Sequence, residues 1–444
     1  MELEEEARNS VSSGNSTEEI RTSLLAKGYS AGRVESAILA GLAAVRSENE
    51  QKNQSLSRKF LLKEMLDRLA FGLSSPQFIN ILLFQLSSSV FVVGVLSGLR
   101  TVISLVLALV FDNLKLRQLS RRVMGFSGIL LGFSLIALSL GIMLRSVAIF
   151  ASAMVVGSIG AVSYGNLYHA MLKESLHKEK RSYLLSRIAY YGLLITAASM
   201  LVAAFLLDRP NGYLITFEIS AILLILSGYM LSRIPESSTE ETTIRLHLRD
   251  YGQLIAENKP LLVMLSCGSL VSAVQTIVTA YYGIYIYNAF YTVGFGGFLN
   301  VAVIFLLAIA VSVIGPTISR LNAKEYGTFP MLVFGTCLIA ITPLTYYYNP
   351  SLIAIAVATI VGVIGGSISG YAGGLVIADK IHENDHKSYF AWSGIITLGM
   401  LVLLVPAASL FAKVYGLPLL FLASGLCIVL AVPLYFLVVF TRKI

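Results

Sequence analysis

The sequence is poor in charge, because Asp, Glu, Lys and Arg make up only 13% of its 444 residues. A typical soluble domain carries roughly 25%. Cysteine is equally scarce: Cys267, Cys337 and Cys427 lie in apolar runs, with no CxxC pair or histidine cluster beside them. This pattern argues against a disulfide framework and against a zinc site. The start of the chain also lacks the basic region and apolar run of a signal peptide.

Motifs for several enzyme classes are absent. The chain has no Gly-x-x-x-x-Gly-Lys-Ser/Thr loop, which argues against ATP hydrolysis. It has no His-Glu-x-x-His or Gly-x-Ser-x-Gly either, so a membrane enzyme is disfavoured. We therefore expect neither catalysis nor a cofactor.

What the sequence does have is apolar surface, with 56% hydrophobic residues and a mean hydropathy of +0.76. Single water-soluble cores stop growing near about 250–300 residues, so lipid is the natural solvent for this chain. Twelve stretches have the roughly 20 apolar residues that a membrane helix needs. They are numbered here as spans 1 to 12: 69–88, 91–111, 123–143, 147–171, 187–207, 212–232, 261–287, 294–317, 328–347, 351–376, 389–411 and 416–440. The predicted fold is an all-α polytopic membrane protein.

Basic residues are unequally divided between the connections, which predicts the orientation. The even-numbered connections and the C-terminus hold nineteen Lys and Arg residues, whereas the odd-numbered connections hold Arg145, Arg209 and Lys413. By the positive-inside rule, we expect a multi-pass protein of the cell membrane with both termini cytoplasmic. Basic clusters between apolar runs indicate topology rather than binding of nucleic acid.

The longest internal connection, residues 233–259, divides the spans into six and six and predicts a cytoplasmic linker. It separates an N-terminal bundle, 58–232, from a C-terminal bundle, 260–444; these are called the N-half and the C-half. Similar segments at Tyr164–Gly192 and Tyr371–Gly399 occupy equivalent places in the two halves.

Residues 1–57 form a separate cytoplasmic extension. Ser16 to Glu19 offer a capping box, which predicts a short helix to Lys27. A second amphipathic helix over Arg33–Val45 would complete a helical hairpin. The extension either docks on the membrane part, binds a protein partner, or is a mobile appendage.

Residues 59–444 resemble the major facilitator superfamily. The resemblance lies in the six-plus-six layout, the central loop, and motifs in two connections. Asp112 followed by Arg121 and Arg122 resembles the family's motif between spans 2 and 3, without its glycines, and a second copy begins at Gly315 and includes Arg320. The resemblance implies transport by alternating access, and it gives Asp112, Arg121, Arg122 and Arg320 gating roles.

The resemblance further implies a central cavity lined by spans 1, 4, 7 and 10. Polar and aromatic residues at helical spacing in these spans agree with that assignment. The predicted substrate-binding residues, besides Arg100, are Gln77, Asn80, Tyr164, Tyr168, Gln275, Thr279, Tyr282 and Tyr371.

Arg100 lies near the middle of span 2, where a charge costs roughly 2.5–3.5 kcal/mol on insertion scales. It therefore needs a partner or water. It binds an anionic substrate group, belongs to a coupling network, or pairs structurally inside the protein. Glu218 in span 6 and His169 in span 4 are candidates for coupling to a proton.

These features predict a secondary transporter, a monomer surrounded by membrane lipids that moves a small organic solute across the membrane. Arg100 favours an anionic solute. The sequence is also compatible with two other functions. One is a flippase or exporter of lipids or amphiphiles on the same fold, and the other is a sensor that has lost transport.

Overall fold

A computed structural model describes residues 2–12, 16–113, 120–175, 178–233, 259–312, 314–380 and 386–440. These ranges hold helices joined by short turns, and no strand occurs within them. The helices are α1 (Glu2–Ser12), α2 (Thr17–Ala26), α3 (Ala31–Leu73), α4 (Pro76–Ser87), α5 (Val90–Asn113), α6 (Ser120–Met143), α7 (Val147–Ser175), α8 (Lys178–Leu207), α9 (Gly212–Ser232), α10 (Lys259–Ala289), α11 (Gly297–Ser312), α12 (Ile314–Tyr326), α13 (Thr328–Tyr348), α14 (Leu352–Lys380), α15 (His386–Tyr415) and α16 (Leu417–Phe440).

All twelve predicted spans coincide with helices. Eleven described stretches are long and apolar enough to cross a membrane, and span 4 contributes the shorter apolar stretch Val147–Ala161 within α7. The prediction of an all-α polytopic fold is confirmed. The predicted linker, 233–259, lies outside the described residues apart from its first and last residues.

Span 1 consists of two helices because Ser74 and Ser75 interrupt it. The Ser74 N–H and hydroxyl both donate to the Ala70 carbonyl, which closes α3, and Pro76 stands at the first position of α4. Proline is tolerated there because that N–H has no helical partner in any case. In span 8, α11 and α12 are described on either side of residue 313, which lies outside the described residues.

The two helices of span 1 pack on different neighbours, whereas α11 and α12 of span 8 share span 10. The pieces on the predicted outer side cross between the halves: α4 packs on span 7, and α11 packs on span 5. The pieces on the predicted cytoplasmic side stay within their own halves, with α3 on spans 5 and 6 and α12 on spans 9 and 10. Of these contacts, the two that join the halves, α4 with span 7 and α11 with span 5, thus lie on the predicted outer side.

Span 2 meets spans 7 and 11 at two glycines that face the other half. A side chain on Gly94 would collide with the Tyr281 and Ser409 hydroxyls, and one on Gly98 would collide with Val405. The Tyr281 hydroxyl donates to Ser409 Oγ at 3.2 Å. We call this contact the glycine seam.

The extension has three helices rather than the predicted pair. Leu3 and Ala7 of α1 pack with α2 and α3 in a small apolar core. The capping box is present: Ser16 Oγ accepts from the Glu19 N–H, and Glu19 Oε2 accepts from the Ser16 N–H at 2.9 Å. These hydrogen bonds lower the pKa of the Glu19 carboxyl. The second predicted helix does not end near Val45, because α3 continues through the boundary at 57/58 into span 1.

A buried ionic network lies at the predicted cytoplasmic end of span 1. Lys63 Nζ contacts Asp67 Oδ2 at 2.8 Å and Glu64 Oε1 at 2.9 Å, and the Lys63 side chain is only 2% exposed. Ser227 of span 6 donates to the Lys63 carbonyl at 3.5 Å. The network ties α3 to the rest of the N-half.

We expect Lys63→Met to destabilise the protein by about 3–5 kcal/mol, because it leaves buried carboxylates without their cation. Thermal unfolding in detergent measures the effect. The double variant Lys63→Met/Asp67→Leu should recover much of the loss, since it also removes one of those charges. Equal melting temperatures for Lys63→Met and the parent would contradict the assignment.

Candidate functional site

The larger described cavity lies inside the C-half and has a volume of about 360 Å³. Spans 7, 8, 9, 10 and 12 surround it. Its polar lining consists of Gln275, Thr279, Tyr282, Thr342, Thr359 and Ser367. No charged side chain is among the described residues that line it. The cavity is within the range of roughly 300–1,000 Å³ typical of ligand sites.

Span 7 presents its polar residues to this cavity through helical spacing. Gln275 and Thr279 are one turn apart, so they share a face, and both line the cavity. Among the described residues, neither side chain has a hydrogen-bond partner. Their amide and hydroxyl groups are therefore available to a bound solute.

Span 10 forms the opposite wall with a stripe of glycines. Gly362 and Gly366 line the cavity, and Gly370 and Gly374 continue the same face toward the predicted cytoplasmic side. A side chain added at Gly370 or Gly374 would meet no atom of the described residues within 4 Å. As far as those residues show, the glycine stripe leads from the cavity along unfilled space, in contrast to the closed glycine seam.

Aromatic rings close the cavity toward the predicted outer side. The Tyr282 ring lies 4.5 Å from Tyr346 and 5.4 Å from Phe421 between centroids, and Tyr285 packs on the same pair. Tyr346 is fully buried and its hydroxyl lies 3.3 Å from Thr359 Oγ1. Tyr282 thus lines this C-half cavity, and its ring is held in place by Tyr346 and Phe421.

The span 1 candidates lie between the halves and do not line this cavity. Asn80 donates to the Ala280 carbonyl at 3.2 Å and accepts from Ser97 at 2.9 Å. Gln77 lies beside Gly283, and its Oε1 atom is buried without a described partner. Asn80 therefore connects spans 1, 2 and 7, which is a different position from the predicted one.

Arg100 lies in a second, smaller cavity of about 40 Å³ inside the N-half. Spans 1 to 4 line it, including Ser74, Ser134 and Gly157. Within the described ranges, no carboxylate pairs with this guanidinium. The structure places Arg100 among protein helices and apart from the C-half cavity, not in one shared pocket.

The remaining candidates are not brought together. Glu218 lies on the outward-facing surface of span 6 and lines neither described cavity. Arg320 is exposed on α12, and Tyr371 is half-buried outside the cavity lining. The side chains of the other six lie outside the described part of the structure: Asp112, Arg121, Arg122, Tyr164, Tyr168 and His169.

Several residues of interest were not predicted. Thr342 and Thr359, on spans 9 and 10, line the cavity, but isolated threonines in apolar spans give no sequence signal. Lys63 and Asp67 do give one, because opposite charges four residues apart can pair on a helix face. Across the residues that the structure describes, no three His, Cys, Asp or Glu side chains come together to hold a metal ion.

Comparisons with known proteins agree with this architecture. A family model described as Major Facilitator Superfamily matches residues 64–392. No curated protein matches the sequence.

Among solved structures, the nucleoside transporter NupG is similar at a TM-score of 0.69 and 12% identity, covering 87% of this chain and 99% of its own. A bacterial homologue of the iron transporter ferroportin, in an inward-facing state, has a TM-score of 0.67 and 13% identity, covering 87% and 98%. A D-xylose-proton symporter has a TM-score of 0.63 and 13% identity, covering 85% and 97%. At these identities the likeness shows the fold.

Two single-cysteine variants test which side of the site is open. In a background without the native cysteines, Gly374→Cys should react with a membrane-impermeant thiol reagent from the predicted cytoplasmic side, because open space adjoins it. Ser409→Cys should react slowly from either side, because the glycine seam buries it to 1% exposure. The reverse pattern of labelling would contradict this description.

Proposed function

The chain belongs to the major facilitator superfamily, and we propose that it is a secondary transporter of a small polar organic solute that binds in the C-half cavity. In this proposal transport proceeds across the cell membrane by alternating access, with both termini cytoplasmic. The solute enters and leaves on the cytoplasmic side along the glycine stripe when the glycine seam is closed.

The lining of the C-half cavity carries this proposal. Gln275 and Thr279 offer an amide and a hydroxyl without described partners, and Thr342, Thr359 and Ser367 add further hydroxyls. Because no charged side chain lines this cavity within the described residues, the part of the solute bound here is uncharged. Hydroxyl groups or amides on the solute are the chemistry that such a lining recognises.

A thermal-stability screen identifies the solute, because a ligand that binds only the folded state raises the melting temperature. Neutral polyols, nucleosides and small amides form one set, and organic anions form the other. Uptake into proteoliposomes, with and without a proton gradient, then separates coupled from uncoupled transport.

We expect Thr279→Val to weaken binding of the solute about fivefold, because one hydrogen bond is worth about 1 kcal/mol. The dissociation constant from the stability screen measures this change. Thr276→Val is the matched control: Thr276 donates to the Ser272 carbonyl of its own helix and does not line the cavity. Equal losses in the two variants would contradict the proposed site.

A second candidate, transport of an organic anion, is favoured by Arg100. Its guanidinium is a permanent charge in a cavity without a described carboxylate partner, and hydrogen bonds to charged groups are worth about 1.5–3 kcal/mol. In this case the anionic end of the solute reaches the N-half, while its neutral part binds in the C-half.

If the solute is anionic, Arg100→Gln should raise its dissociation constant by about 10- to 100-fold and leave Thr279→Val with its own smaller effect. Arg100→Lys, which keeps the positive charge, is the matched control and should lose less. Unchanged binding of the anion by Arg100→Gln would remove Arg100 from the site and leave the neutral solute as the sole candidate.

A further inference from the structure

One charged side chain makes a polar contact between the halves on the predicted outer side. Asp208 follows span 5 in the N-half, and Phe298 is the second residue of α11 in the C-half. Asp208 Oδ1 accepts a hydrogen bond from the Phe298 N–H at 3.2 Å. A carboxylate of one half thus caps a helix of the other half.

The first residue of α11 is shaped for this close approach. A side chain at Gly297 would collide with the Asp208 carboxylate, and the φ angle of Gly297 is +36°. Both the space and the backbone conformation therefore favour glycine. The fit between Asp208 and the start of α11 depends on that glycine.

The start of α11 is also held in a fixed orientation. The buried Asn300 side chain donates to the Phe290 carbonyl at 2.8 Å and to the Val293 carbonyl at 2.7 Å. Its Oδ1 atom accepts from the Phe295 N–H at 3.0 Å. These bonds fix the connection between spans 7 and 8, so α11 presents its N–H groups to Asp208 in one direction.

Neighbouring contacts on the same side are mainly neutral. Gln85 donates to the Tyr287 hydroxyl at 2.7 Å, and the Phe78 and Phe298 rings pack edge to face at 5.6 Å. A negative charge at the start of a helix is favoured by the helix dipole. The Lys413 ammonium of the C-half also lies 6.0 Å from the Phe91 ring centroid of the N-half. Asp208 therefore adds a charged hydrogen bond to a surface that is otherwise held by neutral hydrogen bonds, ring packing and this cation–π contact.

We propose that Asp208 is a gating residue of the outer side, and that its cap on α11 holds the transporter closed there. Alternating access requires the ends of spans 5 and 8 to separate when the outer side opens. That movement breaks the cap and returns the carboxylate to water. Asp208 thus biases the equilibrium between the two access states without contacting the solute.

Paired labelling reporters test this role. Ser409→Cys reports opening of the outer side, and Gly374→Cys reports opening of the cytoplasmic side, each in a background with Cys267, Cys337 and Cys427 replaced by alanine. Reconstituted protein is treated with an impermeant thiol reagent on each side. We expect Asp208→Ala to raise the labelling rate of the outer reporter about fivefold, the factor that corresponds to a lost cap of about 1 kcal/mol. Labelling of the cytoplasmic reporter should fall.

Two further variants serve as controls. Asp208→Asn keeps an oxygen acceptor and should label at a rate between those of the parent and Asp208→Ala, because asparagine caps helices but lacks the charge that the helix dipole favours. Arg209→Ala removes the adjacent charge, which stacks on Phe205 of its own half, and should leave both reporters unchanged.

Faster labelling of both reporters in Asp208→Ala would indicate general loosening and would overturn the proposal. Equal rates in Asp208→Ala and Arg209→Ala would also overturn it. So would an Asp208→Asn protein that labels as fast as Asp208→Ala.

Discussion

The distance between the two halves is set by backbone contact at the glycine seam. Gly94 and Gly98 leave no room for a side chain against Tyr281, Ser409 and Val405, so span 2 lies directly on the C-half there. Small residues allow such close approach, and packing rather than the hydrophobic effect holds helices together in lipid. The site depends on this contact, because it closes the predicted outer end, whereas no described atom lies against Gly370 and Gly374 of the glycine stripe.

The division of span 1 into two helices gives it a double role. Its outer piece α4 belongs to the surface between the halves, while α3 packs inside the N-half. A single rigid helix would have to follow one neighbour along its whole length. The interruption at Ser74 and Ser75 allows α4 to pack on span 7 while α3 stays packed on spans 5 and 6.

The sequence carries enough information for the spans but not for all of their neighbours. About 20 apolar residues define a span whatever it packs against, and the i, i+4 spacing of Gln275 and Thr279 correctly puts them on a cavity-lining face. The predicted start of span 1 is too late, because Lys63, Glu64 and Asp67 lower its hydropathy although Lys63 contacts both carboxylates inside the protein.

Contacts between distant residues gave no such signal. Asn80 and Ala280 are 200 positions apart. Helical periodicity therefore predicts that the Asn80 side chain faces inward, but it does not identify the carbonyl group to which it donates. For the same reason, the depth of Arg100 in span 2 indicated a protein environment but did not distinguish a cavity inside the N-half from one between the halves.

The unbroken course of α3 has a mechanical consequence for the extension. Its 43 residues join the small core around Leu24 and Val34 directly to span 1, with no loop between them. At 1.5 Å per residue, the part before Ser55 is a lever of about 36 Å, so a tilt of span 1 by about 10° would sweep its far end by about 6 Å. Motion within the bilayer is thereby amplified into a displacement in the aqueous phase, where it would change the position of any molecule bound to the extension.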